Sequence, residues 1–365
     1  MKILLCSPCE GIIGGISLWT KHILTYFEKT DSNIALDFVD CGRKSDIQPN
    51  TKISTRVYLG VREYKEILLS IKGKLQKTKF DALHLVSSGS FSLFKDYLIL
   101  KWANEKKIKT VLHFHFGRIP SIFSARKWEY RIIKKVLAKA DSIVVIDPVS
   151  FQTLKDEGYK NVTFLPNPLS PSVVDIIKNN PEIERQPNKI LFVGHAIITK
   201  GIFELMSATK DINGIEVHII GPIPVEVENE LKLEIADSQN KYFLVGVKNH
   251  EKVIKEMLSS RIFVLPSYTE GFPNVILESM ASGCCIVATD VGAMPEMLDA
   301  NSTAPCGHII RPKNAEQLKE AILKTFRNKE ESDQMARNAR RKVNGKYQID
   351  SVAEQLINIW KNTQA

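Results

Sequence analysis

The chain has 365 residues, 44% hydrophobic and 25% charged, an ordinary globular balance that excludes a disordered or fibrous chain. Its length exceeds the usual single domain, so two domains are expected; no apolar run reaches the ~18 residues that span a bilayer, and the one in residues 1–6 is too short for a signal-peptide core. The net charge of +9 is uneven, with 27 Lys+Arg against 16 Asp+Glu through residue 168 and 23 against 25 after it, so the basic half suggests an anionic membrane, a phosphorylated acceptor or nucleic acid as partner.

Short apolar runs separated by amphipathic stretches read as βα units around parallel sheets buried on both faces. In the first half the predicted strands are 2–6, 35–39, 82–86, 110–114, 142–146 and 162–165. Cys6 and Cys9 form a C-x-x-C with no second pair to complete a zinc site, so the six cysteines are assigned to packing and loop roles in a reducing compartment. Gly14 and Gly15 follow the first strand in E-G-I-I-G-G-I-S-L-W, where glycine permits a tight turn or close approach to a ligand. His113 and His115 end the fourth strand in V-L-H-F-H-F-G, on one face by alternation and with no acidic or cysteine partner spaced to complete a metal site. Residues 124–140 predict a basic amphipathic helix. Trp128, Ile132, Ile133, Val136 and Leu137 fall on one face, and Lys127, Arg131, Lys134, Lys135 and Lys139 towards the other. Such a face either packs into a core or lies on anionic lipid.

A polar stretch at 169–188, with Pro171, Pro181 and Pro187, reads as a connecting loop. The strand rhythm then restarts at 189–193, 216–220, 242–245, 262–265, 285–288 and 308–310. Residues 350–360 predict a docking helix, with Val352, Leu356, Ile357 and Trp360 at helical spacing. The pattern does not choose the domain that receives it; crossing back to the first is one arrangement. The fold class is therefore α/β, two doubly wound Rossmann-like domains, divided as 1–168, a linker at 169–188, 189–345 and a terminal helix at 346–365. In such sheets ligands bind beyond the carboxyl ends of the strands.

Residues 261–293, R-I-F-V-L-P-S-Y-T-E-G-F-P-N-V-I-L-E-S-M-A-S-G-C-C-I-V-A-T-D-V-G-A, are the most informative. A buried strand ends at Pro266, a loop carries Ser267 to Phe272, and a helix begins near Pro273, a residue suited to a first turn. Gly283 sits where a left-handed cap is wanted. Glu270 thus precedes the helix and Glu278 lies about one turn inside it, with the amides of Asn274, Val275, Ile276 and Leu277 open between them. Open amides at a helix start form an anion site suited to diphosphate, and ionised carboxylates accept hydrogen bonds from sugar and ribose hydroxyls.

With Gly271, Phe272 and Pro273 after Glu270, this Glu-x7-Glu segment resembles the donor-site signature of retaining glycosyltransferases of family four, which have the GT-B fold. The resemblance implies two domains facing each other across a cleft, the first binding the acceptor and the second the nucleotide sugar, with Glu270 on donor-sugar hydroxyls and Glu278 on the ribose. Residues 190–201, I-L-F-V-G-H-A-I-I-T-K-G, are similar to the family's diphosphate segment. There Gly194 closes the strand, Lys200 would hold the diphosphate, and His195 stands where an arginine is common. By the same resemblance Gly14 and Gly15 would face the diphosphate, His115 rather than His113 the donor sugar, and Val247 the base.

No Asp-x-Asp occurs in the chain, and the expectation is retaining transfer with no cofactor and no protein-bound metal, the nucleotide diphosphate sugar being a co-substrate. The expected acceptor is a glycan or a lipid-linked glycan in polysaccharide or glycolipid synthesis, and the expected location is the cytoplasm, peripheral to the membrane through 124–140. Two alternatives stand beside this reading, a nucleotide-sugar epimerase of the same architecture and a basic nucleic-acid-binding protein. No zinc finger, helix-turn-helix or aromatic RNA-binding signature accompanies the charge. A dinucleotide oxidoreductase would need a G-x-G-x-x-G after a first strand, and neither half has one.

Overall fold

A computed structural model describes residues 1–9, 14–30, 33–42, 52–236 and 238–364. The chain divides into two compact units, residues 1–168 with 349–365, and residues 169–348. In the first unit β1 (Lys2–Ser7), β2 (Ala35–Asp40), β3 (Ala82–Ser87), β4 (Lys109–Phe114), β5 (Ser142–Val145) and β6 (Val162–Phe164) form a parallel sheet in the order β2-β1-β3-β4-β5-β6. Strands such as A-L-H-L-V-S of β3 are buried throughout, as a parallel strand covered by helices on both faces must be.

Each face of this sheet has its own apolar layer. Ile71, Leu100, Ile133 and Val136 belong to one; Trp19, Ile23, Val352, Leu356 and Trp360 belong to the other. The predicted docking helix runs from Ile349 to Gln364 and packs on the first unit, with Trp360 fully buried.

The basic stretch 124–140 is not one helix. A helix at Ile119–Ala125 ends at Arg126 in a left-handed conformation (φ 50°), and a second runs from Trp128 to Leu137. Ile133, Val136 and Leu137 are buried and Ile132 packs against the same core. The face expected to choose between core and lipid is largely taken by the core. Only Trp128 stays half exposed, stacked on exposed Phe91 with ring centroids 5.2 Å apart.

The second unit repeats the plan. Strands β7 (Gln186–Val193), β8 (Glu216–Ile220), β9 (Lys241–Gly246), β10 (Ser260–Leu265), β11 (Cys285–Thr289) and β12 (His308–Ile310) are parallel in the order β12-β11-β10-β7-β8-β9. The chain leaves β7 towards β8 on one side and returns to β10 on the other, so the β7/β10 boundary is where strand order reverses, the usual ligand crevice of such sheets. The stretch read as a loop at 169–188 contains a helix, Pro171–Lys178, opened by a proline in its first turn and anchored by buried Val173. Among the described residues no disulfide joins the cysteines, and no helix is long and apolar enough to cross a membrane.

Candidate active site

At the β7/β10 boundary two loops of the second unit meet. Ser260–Leu265 is buried along its whole length, and Pro266 and Ser267 continue it into a loop that carries Glu270. The loop after β7 ends in a short 3₁₀ turn, Ile198–Lys200, closed by left-handed Gly201 (φ 71°). A Cβ on Gly201 would collide with the Pro266 carbonyl, so only glycine lets the turn lie against this loop. The Tyr268 amide donates to the Thr199 carbonyl (2.9 Å) and ties the two loops together. As a result Lys200 Nζ donates to Glu270 Oε1 at 2.5 Å, and the Ser267 hydroxyl donates to the same oxygen at 2.7 Å. Gly292 presses from the far side, where a side chain would strike the Glu270 carbonyl, and the Ala293 amide donates to the Gly271 carbonyl at 2.8 Å. The Lys200–Glu270 pair is partly buried, at 29% and 12% side-chain exposure, so its attraction is screened less than that of a surface pair. A cation near a helix start is disfavoured by the dipole; Glu270 accounts for Lys200 there without invoking a ligand.

The helix Asn274–Ser282 follows, with Gly283 as the left-handed C-cap (φ 74°) that the sequence predicts and Pro273 as an extended N-cap, one position before the first turn expected to hold it. One expectation changes at its start. The Ile276 amide is not open but donates to the Pro273 carbonyl at 3.1 Å, a tightened first turn. The Val275 amide has no acceptor among the described residues. Glu278 is 8% exposed and holds His250 Nε2 at 2.9 Å. The hydrogen bond that His250 donates to Glu278 is the main cause raising the His250 pKa, opposed by burial and aided by the carboxylate charge. Sequence reading missed His250, Ser267, Gly201 and Gly292. His250 follows Asn249, whose side chain caps the next helix, so the N-H-E-K after β9 was the available signal.

Three further candidates stand in turns after strands of this sheet, and among the described residues none hydrogen-bonds to either glutamate side chain. Gly194 and His195 follow β7, His195 with an exposed ring, and Val247 follows β9 with 72% exposure. Gly271 and Phe272 complete the loop before the helix, Phe272 being buried against the Tyr347 ring at 5.7 Å.

The remaining candidates belong to the first unit. Gly14 caps the helix Gly15–Lys29, its amide donating to the Ser17 hydroxyl oxygen at 2.9 Å; Glu10 to Ile13 of the same motif lie outside the described residues. His113 and His115 at the end of β4 have ring centroids 4.1 Å apart. They belong to a larger cluster than the sequence suggested, with His84 of β3, Trp19 and Trp360. An indole N–H only donates, so the bond of Trp360 Nε1 to His84 Nδ1 (2.9 Å) makes that nitrogen an acceptor. Burial pushes the His84 pKa down to about 3 and keeps the ring neutral. Its one proton therefore sits on Nε2, where it is donated to His113 Nδ1 at 3.2 Å. Burial, then the neighbouring His115 and His84, lowers His113 as well. The remaining His113 proton is left on Nε2, which, like His115 Nε2, has no partner among the described residues. Trp360 thus fixes a proton pattern two rings away. Among the described residues no group of three or more His, Cys, Asp and Glu is placed to hold a metal.

The first unit also has a cavity of about 390 Å³ beyond the carboxyl ends of β1, β2 and β3, lined by Pro8, Tyr64, Ser88, Ser92 and Lys95 among others. Lys95 is buried and donates to Asp96 Oδ1 at 2.8 Å. Burial opposes its charge, but the Asp96 carboxylate, with Cys41 and Tyr64 adding to it, outweighs burial and raises the Lys95 pKa.

Residues 173–342, the span that carries Lys200, Glu270 and Glu278, match the family model described as glycosyl transferases group 1. The protein is a glycosyltransferase, similar over this span to the group 1 family. Among its relatives is TuaC of Bacillus subtilis (strain 168), whose name assigns it provisionally to teichuronic acid biosynthesis as a glycosyltransferase. The two are 23% identical over 309 residues, which is 77% of this chain and 74% of TuaC. The glycosyltransferase shares its fold with Anabaena HepE, solved in complex with UDP (TM-score 0.73, 14% identity, 99% of this chain and 100% of that one). It also shares it with sucrose-phosphate synthase of Thermosynechococcus elongatus (TM-score 0.74, 17% identity, 99% and 98%).

Proposed function

We propose that this glycosyltransferase moves a sugar from a nucleotide diphosphate sugar to a hydroxyl of a glycan or lipid-linked acceptor, with retention of anomeric configuration. The observation that carries the reading is the Lys200–Glu270 contact at the start of the Asn274–Ser282 helix, with Glu278 farther along that helix. The donor diphosphate sits at the helix start, where the dipole and the Val275 amide favour an anion. Lys200 turns its ammonium from Glu270 towards the phosphates, and Glu270 accepts hydroxyls of the sugar. Glu278 accepts from the ribose while His250 holds its other side. The bond between sugar C1 and the phosphate oxygen breaks as the acceptor oxygen bonds C1 on the same face. The acceptor proton passes to the departing phosphate, so no side chain serves as nucleophile. Lys200 and the helix start offset the leaving-group charge, and we assign no metal to the step.

TuaC's name supports a polysaccharide acceptor, and the HepE complex supports a nucleoside diphosphate donor. The cavity beside Lys95 is the proposed acceptor pocket, and its cation suits an acid or phosphate group. Exposed Phe91, Phe94 and Trp128, near Lys127, form the proposed contact with an anionic membrane on its cytoplasmic side.

The test is product formation by the purified chain across a panel of nucleotide sugars and glycan acceptors. Lys200→Ala and Glu270→Gln are expected to lower turnover by about 10²–10³ with unchanged circular dichroism, and chelator to leave the wild-type rate intact. Wild-type turnover in either variant would overturn the site assignment.

A further inference from the structure

The second unit has a cavity of about 440 Å³ away from the loops described above. Arg185 precedes β7 and Arg261 is the second residue of β10, so the cavity opens at the amino ends of these strands, whereas Lys200 and Glu270 follow their carboxyl ends. Arg337, Arg340 and Lys329, all on the helix Lys329–Lys346, line it as well. Five cations thus line one cavity, in the part of the chain where acidic residues outnumber basic ones.

Their partners are few. Asp333 is the only carboxylate of the lining; it takes Arg261 on one oxygen and Lys329 (2.7 Å) on the other. Arg185 donates to the backbone carbonyls of Ser260 and Ser282, the latter at 2.7 Å, and Arg340 donates to the same Ser282 carbonyl at 3.0 Å. Arg337 donates to the Gln334 side chain. Among the described residues none of these three arginines has a carboxylate partner.

Capping the carboxyl end of the Asn274–Ser282 helix explains one N–H from each of Arg185 and Arg340. It does not explain why two guanidiniums share one carbonyl, with a third on the same lining. Like charges this close repel, and the lining's carboxylate, Asp333, is already held by Arg261 and Lys329. Gly283, held left-handed as the helix C-cap (φ 74°), leaves room beside the Arg340 guanidinium. Arg261 is 8% exposed at the floor, and Lys329, Arg337 and Arg340 are exposed at the mouth.

We propose that this cavity binds a multiply charged phosphate oxyanion of the diphosphate class at a site separate from the donor site. Guanidinium forks match phosphate oxygens in pairs, and the three arginines without carboxylates offer the donors that such a group needs. The same chemistry is presented by a free di- or polyphosphate and by a phospholipid headgroup.

The experiment titrates inorganic pyrophosphate calorimetrically into the full chain at about 0.15 M salt, where long-range surface attraction is largely screened. Arg337→Gln/Arg340→Gln is compared with Lys210→Gln/Lys232→Gln, which removes the same charge outside the cavity. Expected is a pyrophosphate site weakened at least about tenfold in the arginine variant and unchanged in the lysine variant. Equal weakening in both, or in neither, overturns the proposal. Should the double variant unfold, Arg337→Gln alone decides, because the side chain it replaces hydrogen-bonds only to Gln334 among the described residues. Lys200→Ala separates the two sites, since a pyrophosphate site at the helix start falls with Lys200 and the arginine site does not. Sedimentation with phosphatidylcholine vesicles, with and without phosphatidic acid, assigns the source. Arginine-dependent sedimentation that pyrophosphate competes away identifies a headgroup at this site; pyrophosphate binding without sedimentation identifies a free anion.

Discussion

At Gly201 a single hydrogen in place of a side chain sets the distance between two charged groups. Gly201→Ala meets both a left-handed backbone and the Pro266 carbonyl, and each alone destabilises a non-glycine residue. The variant is expected to lose more than about 1 kcal/mol in urea unfolding and to lose turnover, because the 198–200 turn must lift away from the Glu270 loop. Full stability and full turnover would show that the turn does not hold Lys200 in place. His250 gives a prediction in pH. Its pKa is raised in the fold by Glu278, so the protonated pair adds stability below about 6.5, the ordinary histidine value. That contribution is lost as pH rises through the raised value. The melting-temperature gap between wild type and His250→Ala should therefore be widest in mild acid and close at higher pH; a gap growing with pH would contradict the pair. The tautomers of the first unit are also open to test. Trp360→Phe removes the donor that reserves His84 Nδ1, and nitrogen-15 spectra should show His84 and His113 changing from single tautomers to mixtures.

Among elements, strands were legible and some helices were not. Among the described residues the twelve strands were predicted within three residues at either end: central strands such as β3 and β10 are buried throughout and so must be short apolar runs, and the more exposed edge strands β2 and β9 are still mostly apolar. The break inside 124–140 was hidden because Arg126 takes a left-handed conformation at a position with no glycine to announce it. The helix Pro171–Lys178 was hidden behind three prolines, one of which opens it. The terminal helix was visible by its spacing, but its partner was not, since apolar residues of either unit would have satisfied it. Its packing gives a prediction: Trp360→Ala removes a fully buried indole from the first unit and should cost roughly 3–5 kcal/mol. Limited proteolysis should then cut within 1–168 before 169–348. Unchanged protection of the first unit would place the helix elsewhere.

At the scale of the whole molecule the histidines divide by sign. Burial is the leading cause lowering His84, His113, His115, His218 and His308, with Lys189 adding to His218 and Lys324 to His308. Groups kept neutral in the fold bind fewer protons than in the unfolded chain, so stability falls as pH drops below about 6.5. Melting temperature is expected to decline steadily from pH 7 to 5 despite the opposing term from His250, and a flat profile would mean these rings are more accessible than the fold shows. The site was legible in part for a related reason. Glu270, Glu278 and the helix between them lie within one continuous segment, so their order along the chain gave their order in space. Lys200 and Glu270 are 70 residues apart and Trp360 and His84 276 apart, and no spacing rule reaches that far.

The terminal helix has a consequence for synthesis. The face of the first sheet that carries Ile3, Leu5 and Val111 waits for Val352, Leu356 and Trp360, which leave the ribosome only after the whole second unit. The nascent chain must shield that oily surface for the time needed to translate 180 intervening residues, so the unit begun first is finished last, and holdase chaperones should dwell on it longest.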